Sequence, residues 1–311
     1  MKTKLSIALL ISGMTLTSHA LETNAPETNA LEANALESYA KEINAPKHIS
    51  CLQSDSVAET YEAIVENGIN AAKEQRLSEA EQWFTKALRH SPDDHRNALV
   101  YMNLGKVQEA QGNNKGALQS YSSAISQYPN NVLFLSTRAK LYLQLENYKR
   151  AIADYTTIIS VSPSDIEAYS YRGYAYSKTR ELDRAKADFK VVTDHDADNF
   201  MAALGSVIVE QQMGHNREAL TQLNILISRF PDKAEPLVIR AEMESEANQK
   251  ELAVIDLDSA IKLSSNRNYY LKRAYLHLEL QQKHLARQDF EKAIELGVPR
   301  QLLSEDLKKC Q

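Results

Sequence analysis

The sequence predicts an all-α protein built as an array of two-helix units, and three observations carry that reading. Two amphipathic segments, Ile166–Thr179 and Leu182–Thr193, are rewritten along the chain at nearly constant spacing. An alanine early in the second segment recurs as Ala80, Ala117, Ala151, Ala185, Ala219, Ala253 and Ala286, in steps of 37, 34, 34, 34, 34 and 33 residues. In the first segment one site holds Gly68, Gly105, Ala139, Gly173, Ala241 and Ala274, with Val207 as the exception, so two helices can approach closely there.

Taken in order, the chain of 311 residues opens with Lys2 and Lys4, an apolar run from Leu5 to Leu16, and Ser18-His19-Ala20, which reads as a signal peptide over 1–20 cleaved after Ala20. The run is too short for a membrane span, which needs roughly twenty apolar residues. Its short, Lys-flanked form points to the periplasm of a bacterium, with an endoplasmic-reticulum lumen as the alternative. No Cys follows the cleavage site directly, so a lipid anchor is not supported. Losing Lys2 and Lys4 takes the formal charge from −5 to −7. A mildly acidic chain without a basic cluster is a poor match for nucleic acid.

Residues 21–55 are a low-complexity acidic stretch of pentads (ETNAP, ETNAL, EANAL, ESYAK, EINAP) that offers little to bury and reads as a tether, with surface adhesion as the alternative. Ser56-Val57-Ala58-Glu59 fits a capping box and opens the array, 56–300. Four residues after each marker alanine stands Phe84, Tyr121, Tyr155, Phe189, Leu223, Leu257 or Phe290, and three further on Ala87, Ala124, Ile158, Val192, Leu226, Ala260 or Ala293. These share one helical face and form the seam. Pro92, Pro129, Pro163 and Pro231 stop the second helix in four units. Units then fall at about 61–94, 98–131, 132–165, 166–199, 200–233, 234–266 and 267–300. Residues 301–311 carry one more amphipathic pattern, read as a C-terminal capping helix.

With these residues in view, the chain is similar to the tetratricopeptide repeat family, whose unit is two antiparallel helices with a period near 34 residues. The resemblance covers about Tyr61–Arg300. It implies a right-handed superhelical solenoid of about seven two-helix repeats with a capping helix, and binding of a peptide or helix of another protein in the concave groove. Unit five departs from the pattern through Val207 and Ala203, so its packing is expected to be altered locally.

Arg138, Arg172, Arg240 and Arg273 occur in the same units as Asp154, Asp188, Asp256 and Asp289, while units one, two and five have neither. The co-occurrence predicts a structural Arg–Asp pair between the two helices of a unit. Treated as partly exposed, each pair contributes about 0.5–1 kcal/mol. Asp194-His195-Asp196-Ala197-Asp198-Asn199 has alternating carboxylates, but a calcium loop needs Gly at Asn199 and a bidentate Glu at Gly205, so it reads as a turn. His90, His95, His277 and His284 lack the further ligands of a metal site. No phosphate loop or nucleophile elbow occurs, and the reading is of a protein without enzymatic activity, metal or cofactor. Cys51 and Cys310 flank the array; a disulfide between them is conceivable in an oxidising compartment, against two separate thiols or an intermolecular link.

Along the side of the first helices expected to line the groove run Val65 and Ile69, Met102 and Lys106, Ser136 and Lys140, Ser170 and Tyr174, Leu204 and Ile208, Val238 and Glu242, then Leu271 and Tyr275. The candidate binding residues are Met102, Lys106, Ser136, Lys140, Ser170, Tyr174 and Glu242, which give the groove a polarity along its axis. The Lys and Asn set with which chaperone-tail-binding members clamp a terminal carboxylate is absent, because Val65 and Ile69 stand at the first of those sites. The expected function is a non-enzymatic periplasmic scaffold holding envelope proteins. Alternatives are a module of polysaccharide export or wall assembly that contacts glycan through Tyr174 and Tyr275, or a self-assembling structural protein.

Overall fold

The computed structural model describes residues 59–311; the signal reading, the tether, Ser56 of the capping box and Cys51 lie outside the described residues. Fifteen α-helices occur among the described residues: α1 Tyr61–Lys73, α2 Leu77–His90, α3 Asn97–Ala110, α4 Asn114–Gln127, α5 Val132–Gln144, α6 Tyr148–Val161, α7 Ile166–Lys178, α8 Leu182–His195, α9 Phe200–Gln212, α10 Asn216–Arg229, α11 Glu235–Glu246, α12 Lys250–Leu263, α13 Arg267–Glu279, α14 Lys283–Glu295 and α15 Ser304–Lys309. The chain divides into two compact units, one up to Pro92 and one from Asp93 to Gln311. The described part of the first is the α1/α2 hairpin. The second stacks six hairpins as a helical solenoid, each second helix packing on its own first helix and on the first helix of the next hairpin.

One backbone device makes every hairpin. At its centre stands a residue in the left-handed region: Gln75, Gly112, Glu146, Arg180, Gly214, Asn248 and Gln281, with φ between 56 and 82°. The next amide reaches back to the last turn of the first helix, as in Asn147 N to Tyr142 O at 2.7 Å and Glu181 N to Tyr176 O at 2.9 Å. This closure satisfies orphan carbonyls and turns the chain into the second helix. First helices begin on side-chain caps: Thr60, Asn131, Asp165 and Asn199 each accept from the amide three residues on.

The marker alanines and seam residues form the core. Ala80, Ala117, Ala151, Ala185, Ala219, Ala253 and Ala286 are all fully buried, with Tyr121, Phe84, Leu223 and Phe290 beside them. The close-approach glycines are fitted to their aromatic partners: a Cβ on Gly68 would lie 2.7 Å from Phe84, and one on Gly105 would lie 2.4 Å from Tyr121. Unit five solves the same problem differently. Leu223 replaces the aromatic and leaves room for a buried Val207, while Phe189 of unit four leans across to Gly205, where a Cβ would come within 2.5 Å.

Two boundaries differ from the sequence reading. Helix α8 runs on through His195, and the turn is Asp196–Asn199, tightened by Asp198 N to Asp196 Oδ1 at 2.9 Å. The C-terminal cap is a 3-10 turn, Arg300–Leu303, followed by the six-residue α15. It buries Leu303 and Cys310 against Ala286 and Phe290 and leaves Leu302 72% exposed.

Candidate partner-binding groove

The side chains that a partner could reach on the first helices are set by helical register. Residues four apart share a face, and Tyr174 and Lys178 show it: the ammonium lies 5.3 Å from the ring centroid. Tyr174 also meets Tyr148 of α6 edge to face at 6.2 Å. Burial, then the charge of Tyr148, pushes the Tyr174 hydroxyl well above the ordinary phenol range, and burial pulls the Lys178 ammonium down. Lys140 bridges to Glu167 of the next unit at 3.3 Å and sits 5.7 Å from the Tyr171 ring. Glu242 is bridged by Lys272 of the following unit. Ser136 donates to Leu133 O at 3.1 Å, and Ser136, Ser170 and Lys106 are all partly exposed.

Met102 has to be removed from this face. It is 2% exposed and packs in the core with Tyr121 and Leu135, because its flexible thioether fills the seam below the helix surface. Leu204 and Val238, at the same register, are buried as well. Leu271 and Tyr275 are covered by the C-terminal cap, and the Tyr275 hydroxyl donates to Asp306 at 3.1 Å. The groove face of the second unit therefore runs from Lys106 to the region of Glu242 and Glu246.

On the other flank of the first helices stand the four arginines. Arg138 Nε and Nη2 lie 2.9 and 2.7 Å from the Asp154 carboxylate; for Arg172 and Asp188 both distances are 2.8 Å, for Arg240 and Asp256 both are 2.6 Å, and for Arg273 and Asp289 they are 2.8 and 2.6 Å. Each aspartate is 5% exposed. An exposed-pair value of 0.5–1 kcal/mol is thus too small a measure: removing the arginine strands a buried carboxylate, which costs about 3–5 kcal/mol. The sequence reading missed the third arm. Each Nη1 reaches the second helix of the preceding unit, at Ser122 (2.9 Å), Thr156 (3.3 Å), Asn224 (2.6 Å) and Asp258 (2.5 Å). A polar residue sixteen positions before three of the arginines was the available signal.

The remaining candidates fall into place individually. Asp194 pairs with Lys190 within α8 at 2.7 Å and Asp198 with Arg229 at 2.6 Å, while Asp196 accepts from the Asp198 amide inside the turn. Among the described residues no group of three potential ligands is gathered around a metal position. Cys310 is a buried free thiol whose Sγ lies 3.2 Å from Asp306 O. No described helix is long and apolar enough to cross a membrane.

Residues 99–131, 136–200 and 268–296 match family models of the tetratricopeptide repeat. The crystal structure of a tetratricopeptide repeat protein from Parabacteroides merdae ATCC 43184 is 29% identical, with a TM-score of 0.66, and the match covers 80% of this chain and 98% of that one. PilW, described as a widely conserved type IV pilus biogenesis factor, is 17% identical with a TM-score of 0.53, over 62% of this chain and 90% of its own. MamA from residue 41 onward, of Desulfovibrio magneticus RS-1, is 14% identical with a TM-score of 0.50, over 57% and 99%. The last two likenesses are of fold alone. No curated protein matches the sequence.

Proposed function

Because the chain is a tetratricopeptide repeat protein, and so a scaffold for other proteins in a family of generally non-enzymatic folds, we propose that it holds an extended or helical segment of a partner against the first helices of its second unit. The observation that carries this is the face itself. Lys106, Tyr174, Lys178, Ile208 and Glu246 stand partly or fully exposed in the second, fourth, fifth and sixth hairpins, on helices whose other flanks are engaged by the seam and, in α7 and α11, by arginine contacts as well. Such a file of varied side chains on a rigid stack discriminates between sequences rather than performing chemistry.

The signal-like pattern of the first twenty residues supports a periplasmic site of action and, with it, a partner among proteins of the bacterial envelope. Two features weigh against a glycan platform: Tyr174 is engaged by Tyr148 and Lys178, and Tyr275 lies under the cap. Affinity capture from envelope extract tests the reading, with the mature protein compared against a Lys140→Glu, Tyr174→Ala variant that keeps its helical melt. Defined proteins retained by the first and lost by the second are the expected result. Identical captures would remove the groove from the proposal.

A further inference from the structure

Ion pairing sorts the charged side chains of the groove into those already neutralised and those left over. Lys140 is matched by Glu167 and Glu242 by Lys272. Lys106 and Lys178 have no carboxylate within ion-pair distance among the described residues; Glu146 acts on Lys178 only at longer range. Burial has already cost Lys178 part of its hydration, so an incoming carboxylate gains more there than at a fully exposed lysine.

At the other end the sign reverses. Glu246 follows Glu242 by four residues on the same face and is exposed without a cation beside it. Glu235 occupies in α11 the register that Glu167 occupies in α7. Glu167 reaches a lysine of the preceding unit, but Ile208 stands at that place before Glu235. Between the two ends, α9 presents the half-buried Met201 and Ile208 and no charge on that face.

Resting on the groove reading above, we infer that the occupant is a block-charged segment of another protein: carboxylates against Lys106 and Lys178, an apolar middle against Met201 and Ile208, and cations against Glu235 and Glu246. Its length follows from the stack. Four steps between first helices at the usual packing distance span about 30–40 Å, which an extended chain covers in about a dozen residues. Charge order selects the partner and its direction, because a segment laid the wrong way places like charges together at both ends.

The test uses the mature protein and three synthetic peptides of one composition, each about a dozen residues: glutamates first, lysines first, and charges alternating, all with the same apolar residues. Fluorescence anisotropy at low salt reads affinity. One of the two blocked peptides is expected to bind at least about tenfold more tightly than the alternating one, and to lose that margin as salt rises. A Lys106→Glu, Lys178→Glu, Glu235→Lys, Glu246→Lys variant with an unchanged helical melt should prefer the opposite order. Equal binding of blocked and alternating peptides overturns the charge order while leaving groove binding standing. If no peptide binds to the folded protein, the groove reading fails with it. A peptide copying residues 22–46 that binds more tightly than either blocked peptide makes the occupant the chain's own acidic stretch and overturns the assignment to a partner.

Discussion

Tyr121 and Tyr155 hold the same position in consecutive hairpins, 34 residues apart, and should respond oppositely to loss of the hydroxyl. Both rings are buried, at 0% and 1% exposure. The Tyr121 hydroxyl donates to Glu109 Oε2 at 2.8 Å. The equivalent place in the next hairpin holds the apolar Leu143, and the Tyr155 hydroxyl has no hydrogen-bond partner among the described residues. An unsatisfied buried hydroxyl costs about 1–3 kcal/mol, whereas a hydrogen bond to a charged group contributes about 1.5–3 kcal/mol, less where water can replace it. Tyr155→Phe keeps the stacked contact with Tyr171, at 5.5 Å and 19°, and removes the orphan, so it should raise stability by about 1 kcal/mol. Tyr121→Phe should lower it by about the same amount, since Glu109 is only partly buried. Urea unfolding of the protein followed by circular dichroism measures both; in melting temperature each change is about 2–4 °C per kcal/mol for an array of this size. If Tyr155→Phe destabilises as much as Tyr121→Phe, the hydroxyl has a partner and the reasoning is wrong.

Four further outcomes follow from the geometry. Arg240→Ala strands the buried Asp256 and should cost about 3–5 kcal/mol in urea unfolding, with Arg240→Lys recovering little because an ammonium cannot replace the two-pronged contact. Gly105→Ala, whose Cβ would meet Tyr121 at 2.4 Å, should lose about 1–3 kcal/mol, while Gly173→Ala, at 3.1 Å from Phe189, should lose clearly less in the same assay. Arg180→Gly, at φ 66° in the turn of unit four, should gain about 1 kcal/mol by relieving a left-handed conformation, and an unchanged or lower midpoint would refute the strain. At Glu210, burial pushes the carboxyl up, but hydrogen bonds from Lys186 and His215 outweigh it and hold the carboxyl below its ordinary range. The resulting stability is full at neutral pH and lost as pH falls through the lowered pKa, so Glu210→Gln should flatten the acid limb of a stability profile against pH.

Much of the fold was legible because a repeat states its rules several times. A single Gly105 says little, but Gly105 beside Tyr121, aligned with Gly68 beside Phe84, identifies a close approach of helices. At α8 the reading stopped two residues short, because no proline ends the helix and Asp194 and His195 continue it. The groove was less legible. Met102, Leu204 and Val238 share a register with the partly exposed Ser136 and Ser170, and only three-dimensional packing reveals that the larger apolar side chains there are buried. Tyr275 was misread because its cover comes from Asp306, thirty-one residues on and outside any repeat. The left-handed turn residues were hidden for the opposite reason: the column reads Gln, Gly, Glu, Arg, Gly, Asn, Gln, and only its two glycines advertise the backbone conformation.

The arginine contacts also give the stack an uneven stiffness. Arg138, Arg172, Arg240 and Arg273 each pin three points, two on their own hairpin and one on the hairpin before, and a rigid planar fork resists both sliding and twist. Between units four and five that joint is missing. Ser206 stands in the arginine's place, and the charged ties are Lys186 to Glu210, a point charge on a flexible stem that fixes distance but not angle, and the exposed Arg229 to Asp198, both at 2.6 Å. Like a spring with one soft coil, the second unit should take up load by flexing at that joint. The coil lies between Lys106 and Lys178 on one side and Glu235 and Glu246 on the other, so its bending sets the gauge between the two charged ends.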